Sequence, residues 1–197
     1  MAVTSPHQGE SSREPAPGEL RLVQRFVNTL DSDDGLRQVE TLNRPADLER
    51  WLRDHDLLER GARIGARELR RAIELRQALR ALLLANTSGA AVDARTVAAL
   101  NSAADRAPAK VSFDADGNAS LVGAARGLDA AMGRVLAAVV QAMADGTWAR
   151  LKACPNPDCE WAFYDRPRNR SSRWCAMSEC GNRAKVRALR ERRRAAT

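Results

Sequence analysis

The four cysteines of this 197-residue chain lie within one short C-terminal window. Four residues separate Cys154 from Cys159 in "CPNPDC" and Cys175 from Cys180 in "CAMSEC", and fifteen residues separate the pairs. A tetrahedral zinc ion, with bonds of roughly 2.3 Å to sulfur, is typically held by two such pairs on tight turns. The spacing therefore predicts one structural zinc ion per chain, bound by all four thiolates.

Two other uses of the thiols stay open at this point. An iron–sulfur cluster also takes four thiolates, although the spacing matches neither common ferredoxin pattern. Disulfides or free thiols are the third alternative, and the N-terminus lacks the layout of a signal peptide, which indicates a reducing cytoplasmic location. Four protein thiolates around zinc leave no coordination position for an activated water, so metal-based hydrolysis is disfavoured.

The positive charge of the chain is concentrated in the cysteine segment. The formal net charge is +7, from 32 Lys+Arg and 25 Asp+Glu. Residues 150–197 hold 13 basic and 5 acidic residues, net +8, which leaves 19 against 20, net −1, for residues 1–149. Four thiolates and a divalent ion would reduce the +8 to about +6. Such an imbalance indicates a polyanionic partner, and a solvated basic tail is the alternative.

The basic residues fall into two groups that we predict to contact nucleic acid. Those between the cysteine pairs are Arg166, Arg168, Arg170 and Arg173. Those on the predicted C-terminal helix are Arg183, Arg187, Arg190 and Arg194, at steps of four, three and four, together with Lys185 and residues 192–193. We expect Val186 and Leu189 to pack on the finger from the opposite side. Guanidinium groups suit phosphates and base edges, but these arginines could instead neutralise the cluster or form a solvated helix face.

Residues close to the cysteines have predicted structural roles. Gly181 should let the chain turn with backbone N–H groups directed at sulfur, and Asn182 should cap the following helix. Trp161 and Trp174 should cover the metal as a small core, with base stacking as the alternative. The segment "EWAFYDRPRNRSSRW" suggests two strands joined by an arginine-containing turn.

Upstream of the cysteines the sequence predicts a mainly α fold. Residues 1–18 are rich in Ser, Pro, Gly and Glu and are predicted to be a disordered leader, followed by a multihelical domain over 19–149 and the finger over 150–197. Leu20, Val23, Val27 and Leu30 predict a first helix that stops in "DSDDG". Further helices are expected from Pro45, from about 65 to 85, after a cap at Asp93, and from about 127 to 144, with one β-hairpin around Asp116-Gly117.

The helical domain offers little that resembles an active site. The two histidines are His7, in the leader, and His55, near a predicted helix end, and no catalytic or phosphate-binding motif is present. We therefore expect no enzymatic activity. Asn28 and Thr29 form a polar step on an apolar helix, which indicates either a ligand pocket or a helix cap. The sequence contains no uncharged apolar run of 18 residues, so we expect no membrane partner.

The stretch "WCAMSECGNRAKVRALRERR" resembles the bacterial CGNR zinc-finger proteins, whose tetrapeptide is Cys180-Gly181-Asn182-Arg183. The resemblance extends back through "CPNPDCEWAFYDRPRNRSSRW", although many members have Ser or Thr at the Pro167-Arg168 step. Upstream, "RFVNTLD" and "LERWLRDHDLL" resemble the helical ABATE domain that precedes this finger. The spacing of the cysteine pairs suits a treble-clef- or ribbon-like finger. The resemblance implies a mainly helical N-terminal domain, a finger that binds DNA, and a role in stress-linked transcription regulation.

These observations lead to one expected function and one alternative. The chain is expected to be a DNA-binding transcription regulator whose helical domain senses a ligand or forms a homodimer. The alternative is a zinc-finger adaptor that binds protein or RNA, on polymerase or the ribosome.

Overall fold

The computed structural model describes residues 14–33, 37–123 and 125–195. Over these ranges the fold is mainly α, as predicted. The helices are α1 (Leu20–Val27), α2 (Pro45–Asp54), α3 (Ala66–Ser88), α4 (Ala94–Arg106), α5 (Gly127–Ala144) and α6 (Asn182–Ala195). The strands are β1 (Leu30–Asp33), β2 (Arg37–Glu40), β3 (Ala109–Phe113), β4 (Ala119–Gly123), β5 (Leu151–Ala153) and β6 (Ala162–Tyr164). They form three antiparallel hairpins, β1–β2, β3–β4 and β5–β6.

Helix α3 runs through the centre of the molecule. Its apolar residues recur every three or four positions, which is the period of a helix, and Leu75, Leu79 and Leu83 are almost fully buried. The helix ends at Ser88, and the next residue, Gly89, has a φ of +73°, in the left-handed region that glycine adopts without steric cost. Helices α1, α2, α4 and α5 and strand β5 all pack against it, so α3 joins the helical domain to the C-terminal segment.

Helix α5 is the most apolar helix, and it is long and apolar enough to cross a membrane by length and composition alone. Met132, Val135 and Val139 are buried in the same core as the residues of α3. Asp129, in its first turn, also forms a salt bridge with Arg71 of α3. These contacts are those of a core helix.

Two predictions about the N-terminal part were wrong. Residues 14–18 belong to the fold: Ala16 is buried, and its N–H donates to Gln24 Oε1 at 2.6 Å. The rest of the predicted leader lies outside the described residues. Helix α1 ends at Val27, and Leu30 begins a hairpin that sequence periodicity did not indicate. The loop tip, residues 34–36, also lies outside the described residues.

Other local predictions were confirmed. Asp93 caps α4 by accepting a hydrogen bond from the Thr96 N–H at 2.8 Å. The predicted β3–β4 hairpin forms, with Gly117 at a φ of +81° in its turn. Phe113 on this hairpin is 70% exposed, so the hairpin adds little to the core.

The helical domain and the cysteine segment pack together, as the short connection between them predicted. Leu151 and Ala153 of β5 belong to the main core. Near the end of α3, Asn86 Nδ2 donates to the Leu151 carbonyl at 2.9 Å, and the Thr87 hydroxyl donates to the Ala153 carbonyl at 2.7 Å. The hairpin that supports the first cysteine pair is therefore built on the surface of α3.

Candidate zinc site and nucleic-acid interface

The fold brings the four cysteines into one buried cluster. Their sulfur atoms all lie within 4.8 Å of one another, and Cys159 Sγ is 3.6 Å from Cys175 Sγ, which is 3.7 Å from Cys180 Sγ. A tetrahedron with zinc–sulfur bonds of roughly 2.3 Å has sulfur–sulfur edges of about 3.8 Å. Four closely spaced sulfurs, with no other ligand type among them, fit a structural zinc ion.

Each cysteine pair is presented by a different kind of turn. Cys154 follows β5 and Cys159 precedes β6, and the turn between them is closed by hydrogen bonds from the Cys159 and Glu160 N–H groups to the Asn156 carbonyl at 2.9 and 3.0 Å. Cys180 lies in a wide turn of π-helix, Met177–Gly181, that leads directly into α6. A hairpin turn facing the start of a helix is a treble-clef arrangement. The prediction that two strands between the cysteine pairs would pair with each other was wrong. Strand β6 lies between the pairs, but its partner β5 lies upstream of Cys154.

The electrostatics of the cluster fit a bound cation. Hydrogen bonds from the other three cysteines, and to a lesser extent from Arg183, hold the pKa of Cys180 well below its ordinary value. The neighbouring thiols raise the pKa of Cys154 and of Cys175, to which burial also contributes. Four thiolates this close repel one another, so a divalent ion at the centre is what allows all four to ionise.

Polar side chains from α6 and the first turn surround Cys180. Asn156 Nδ2 lies 3.8 Å and Arg183 Nη2 3.7 Å from Cys180 Sγ, while Arg187 Nη2 donates to Asn156 Oδ1 at 3.2 Å. Donors directed at thiolate sulfur offset its negative charge and orient it. Arg183 and Arg187, predicted to contact nucleic acid, thus also have contacts within the finger, and Arg183 matches the alternative in which arginines neutralise the cluster.

The predicted docking side of α6 was wrong. Val186 is 47% exposed and Leu189 44% exposed, whereas Arg183 and Arg187 lie on the side that faces the cluster. The reason is that the site next to Cys180 is polar and anionic, so it stabilises guanidinium groups better than aliphatic side chains. The helix therefore presents two apolar side chains, as well as basic ones, to solvent.

The predicted cap by Asn182 was wrong, and the Gly181 N–H itself is not directed at sulfur. The Gly181 N–H donates to the Ala176 carbonyl at 3.2 Å. A Cβ atom at this position would displace the end of the Met177 side chain and lie 3.3 Å from Trp174 Cδ1, so glycine gives both side chains room. Asn182 donates from Nδ2 to the Ser178 carbonyl at 2.9 Å, which links the π-helical turn to α6 instead of capping its N–H groups.

The two tryptophans cover the cluster as predicted. Trp161 and Trp174 are partly buried and pack, with the fully buried Phe163, against the four cysteines. This small core is distinct from the main core of the helical domain. Trp161 lies next to β6, so its backbone also takes part in the first turn, where its carbonyl accepts from the Cys154 N–H at 3.0 Å.

A buried ion pair that the sequence did not suggest organises the loop between the cysteine pairs. Lys152 Nζ lies 2.6 Å from Asp165 Oδ2, and both side chains are almost completely buried. The same ammonium donates to the carbonyls of Arg170 and Ser172 at 2.6 and 3.1 Å. Arg170 has a positive φ of 52°. Alternation along Leu151, Lys152 and Ala153 would place Lys152 on the solvent face, so the sequence contains no signal that this lysine is buried.

The arginines of this loop differ in their surroundings. Arg166 forms a salt bridge with Glu14 at 2.9 Å, donates to the Pro15 carbonyl at 2.8 Å and lies over the Tyr164 ring. Arg168 and Arg173 are exposed. On α6 the exposed basic residues are Lys185, Arg187, Arg190, Arg192, Arg193 and Arg194. The loop and α6 thus carry basic side chains on the surface of one small module.

Asn28 and Thr29, predicted to line a pocket or cap a helix, lie at the junction between the two parts. Thr29 donates to the Phe26 carbonyl at 2.8 Å and accepts from Arg76 at 3.1 Å. Arg76 is fully buried and forms a two-point ion pair with Glu40 at 2.5 and 2.7 Å. Asn28 bonds to β6, and both residues line a cavity of about 400 Å³.

A second buried arginine connects the helical domain to the first cysteine turn. Arg80 donates to the Val27 and Leu30 carbonyls at 2.6 and 3.1 Å and lies 4.0 Å from a carboxylate oxygen of Glu160. Burial, and then the nearby Arg76, lowers the pKa of Arg80 to about 10. Gln38 on β2 also donates to Glu160, at 2.9 Å. Sequence reasoning missed these contacts because they join residues far apart in the chain.

Comparison with known protein families gives two matches, in the order expected from the resemblance. Residues 20–146 match ABATE, described as "Putative stress-induced transcription regulator", and residues 150–193 match the CGNR zinc finger. A search of curated proteins gave no match. The first match covers more than half of the chain and contains the junction residues, and the second contains all four cysteines. The chain therefore belongs to the ABATE family and carries a CGNR zinc finger after the ABATE domain.

Proposed function

We propose that this protein is a DNA-binding transcription regulator of the cytoplasm, with one structural zinc ion per chain held by Cys154, Cys159, Cys175 and Cys180. The observation that carries the proposal is a set of exposed basic side chains, on α6 and on the loop before Cys175, held on one small module. The zinc is assigned a structural role because four protein thiolates complete its coordination.

The acidic residues of the module support this proposal by their placement. Asp165 pairs with Lys152 inside the module, Glu160 lies against Arg80 and Gln38, and Glu179 lies 3.8 Å from Arg183. Three of the five carboxylates of residues 150–197 are thus engaged in contacts of the fold. The excess of positive charge is therefore left on the surface, where it raises the affinity for a polyanion.

The basic residues that remain are suited to phosphate contacts. Arg168 and Arg173 in the loop and Arg190 and Arg194 on α6 are exposed, and none of them forms an ion pair with another described residue. Arg190 and Arg194 are four positions apart, so they lie on one face of α6. Guanidinium groups bind phosphate oxygens through paired hydrogen bonds.

The helical domain is proposed to sense a small ligand. The cavity lined by Asn28 and Thr29 supports this role, because it lies where α1 meets the finger. A molecule bound there would contact both parts of the protein. Homodimerisation of the helical domain remains the alternative.

The test of DNA binding is its salt dependence. We expect the affinity of the zinc-loaded protein for a DNA duplex to fall as salt rises, with a log–log slope of about −0.9 per phosphate contacted. The double variant Arg190→Gln and Arg194→Gln should make that slope shallower by up to about two units without changing zinc content. Gln keeps polarity and much of the side-chain length, so the comparison isolates charge.

The matched control replaces Arg67 and Arg70 by Gln. Both are exposed on α3 in the helical domain, and the net charge changes by the same amount. The proposal predicts a normal slope for this control. Equal slopes for both double variants would show that DNA responds only to total charge, and unchanged binding in the α6 variant would exclude α6 as the DNA contact.

One observation favours the adaptor function as the second candidate. Val186 and Leu189 are exposed on α6, and Met177, 52% exposed, lies in the turn before it. Apolar side chains on a surface helix are typical of protein contacts. Crosslinking in cells, followed by sequencing of the attached nucleic acid, distinguishes the candidates: DNA fragments support the regulator, and RNA or crosslinked protein alone supports the adaptor.

A further inference from the structure

Three aromatic side chains, Trp51, His55 and Trp161 of the finger, line the cavity at the junction. Trp51 stacks on His55, with ring centroids 4.3 Å apart and planes inclined by 24°. His55 Nδ1 lies 2.8 Å from the Trp51 carbonyl, which fixes the imidazole ring in its stacked position. An aromatic lining of this kind favours a flat, aromatic ligand.

Two charged groups of opposite sign complete the lining. Arg25 is exposed on α1, and it forms no hydrogen bond or ion pair with the residues described in the structure. Asp31 also lines the cavity, and one of its carboxylate oxygens accepts from the Ser32 N–H at 2.7 Å. A guanidinium suits a carboxylate ligand, and a carboxylate suits a hydroxyl or amino donor.

We infer that this cavity binds a small aromatic acid bearing a hydroxyl or amino group, with its ring against the aromatic side chains of the lining and its carboxylate at Arg25. The inference deepens the proposed ligand-sensing function and rests on it. The volume of about 400 Å³ accommodates a single substituted ring, at the lower end of the range for small-molecule sites.

The position of Trp161 connects this ligand to the zinc site. Its indole packs against the cysteine cluster, and its carbonyl accepts the Cys154 N–H at 3.0 Å. Asn28, which also lines the cavity, bonds to Ala162, the next residue of the finger. A ligand that fills the cavity therefore restrains the turn that carries the first cysteine pair, so it should slow the loss of zinc.

Binding is tested on the full zinc-loaded chain by titration calorimetry, without DNA. We expect 4-hydroxybenzoate and 4-aminobenzoate to bind, and phenol, which lacks the carboxylate, to bind at least about tenfold more weakly. Arg25→Gln should lower the affinity for 4-hydroxybenzoate by about tenfold or more. The matched control is Arg21→Gln, because Arg21 is exposed one turn earlier on α1 and does not line this cavity.

Several outcomes would overturn the inference. Absence of binding at millimolar concentrations of either acid excludes the ligand class, and equal affinity for phenol excludes the carboxylate contact. If Arg21→Gln and Arg25→Gln lower the affinity for 4-hydroxybenzoate equally, Arg25 is excluded as the contact of the carboxylate. The link to the finger is measured as the rate at which a chelator removes zinc: slower removal with bound 4-hydroxybenzoate supports it, and an unchanged rate overturns it. None of these measurements depends on DNA binding, so the proposal of DNA binding and the proposal of an aromatic acid ligand are tested separately.

Discussion

The side-chain amide of Asn28 pairs with the backbone of Ala162 through two hydrogen bonds. Asn28 Nδ2 donates to the Ala162 carbonyl at 3.0 Å, and Asn28 Oδ1 accepts from the Ala162 N–H at 2.8 Å. Ala162 is fully buried in β6. Asn28, at the end of α1, thus makes the pair of hydrogen bonds that a neighbouring strand would make with β6. These bonds connect the ABATE domain directly to the finger.

We expect Asn28→Ala to destabilise the protein by about 2 kcal/mol, because it leaves the buried Ala162 N–H without an acceptor and removes one of the two donors to the Ala162 carbonyl. The other donor, Gln24 Nε2, stays 3.2 Å from that carbonyl. Zinc should also be lost to a chelator faster than in the original protein, since β6 follows the first cysteine turn. Denaturant unfolding followed by circular dichroism, with zinc-release kinetics, measures both effects. Asn101→Ala, at an exposed position of α4, is the control and should change neither. Equal effects of the two substitutions would contradict the coupling.

Cys180→Ser should weaken zinc binding and unfold α6 and the loop before it, while the helical domain stays folded. The four cysteines, Phe163 and two tryptophans form a small core of their own, so the metal supplies most of the stability of that core. The measurements are metal content, circular dichroism and limited proteolysis. Ser171→Ala, at an exposed position in the same module, should retain zinc. Joint loss of both parts on proteolysis would show that they fold as one unit.

Lys152→Met should cost about 3–5 kcal/mol of folding free energy, because it leaves the buried carboxylate of Asp165 without its ion-pair partner. The double variant Lys152→Met with Asp165→Leu should recover part of this loss, since no unpaired charge is then buried. Thermal and denaturant unfolding measure the unfolding free energy of the original protein, the single variant and the double variant. Lys185→Met, at an exposed site, should lie within about 0.5 kcal/mol of the original protein. A double variant as unstable as the single one would mean that loop packing, and not charge, is decisive.

Glu40→Gln should destabilise the fold by about 2–3 kcal/mol at neutral pH, because the fully buried Arg76 loses its counter-ion. Burial raises the pKa of Glu40, but hydrogen bonds from Arg76 and from the Leu42 N–H outweigh it and hold that pKa below its ordinary value. A lowered folded-state pKa gives stability that is full above the unfolded value of about 4.3 and is lost as the pH falls through the folded value.

The difference in unfolding free energy between the original protein and Glu40→Gln should therefore be constant at neutral pH and shrink in acid. Denaturant titrations at a series of pH values measure it. Glu74→Gln, at an exposed position of α3, should show no such difference. A gap that persists unchanged into acid would contradict the role of the Glu40 charge.

Several parts of the fold followed from the sequence because they depend on near neighbours. The helical period of α3 and α5, the Asp93 cap and the β3–β4 turn each depend on residues within a few positions. The four cysteines were a candidate metal site for the same reason, since their spacing sets two turns. The hairpin β1–β2 was missed because its strands are short and their pairing depends on contacts with the first cysteine turn, such as Gln38 with the Pro157 carbonyl.

The sequence by itself determined the helical class, the donor set for a metal and the concentration of basic charge near it. Only the tertiary structure decided which side chains of α6 face the cluster and which face solvent. The anionic site beside Cys180 attracts Arg187 to the cluster side, and its neighbour Val186 is left exposed. It also decided that Asn28 meets Ala162 and that Arg25, Trp51 and Trp161 line one cavity. Residues this far apart in the chain come together only when burial of the common core fixes the elements against one another.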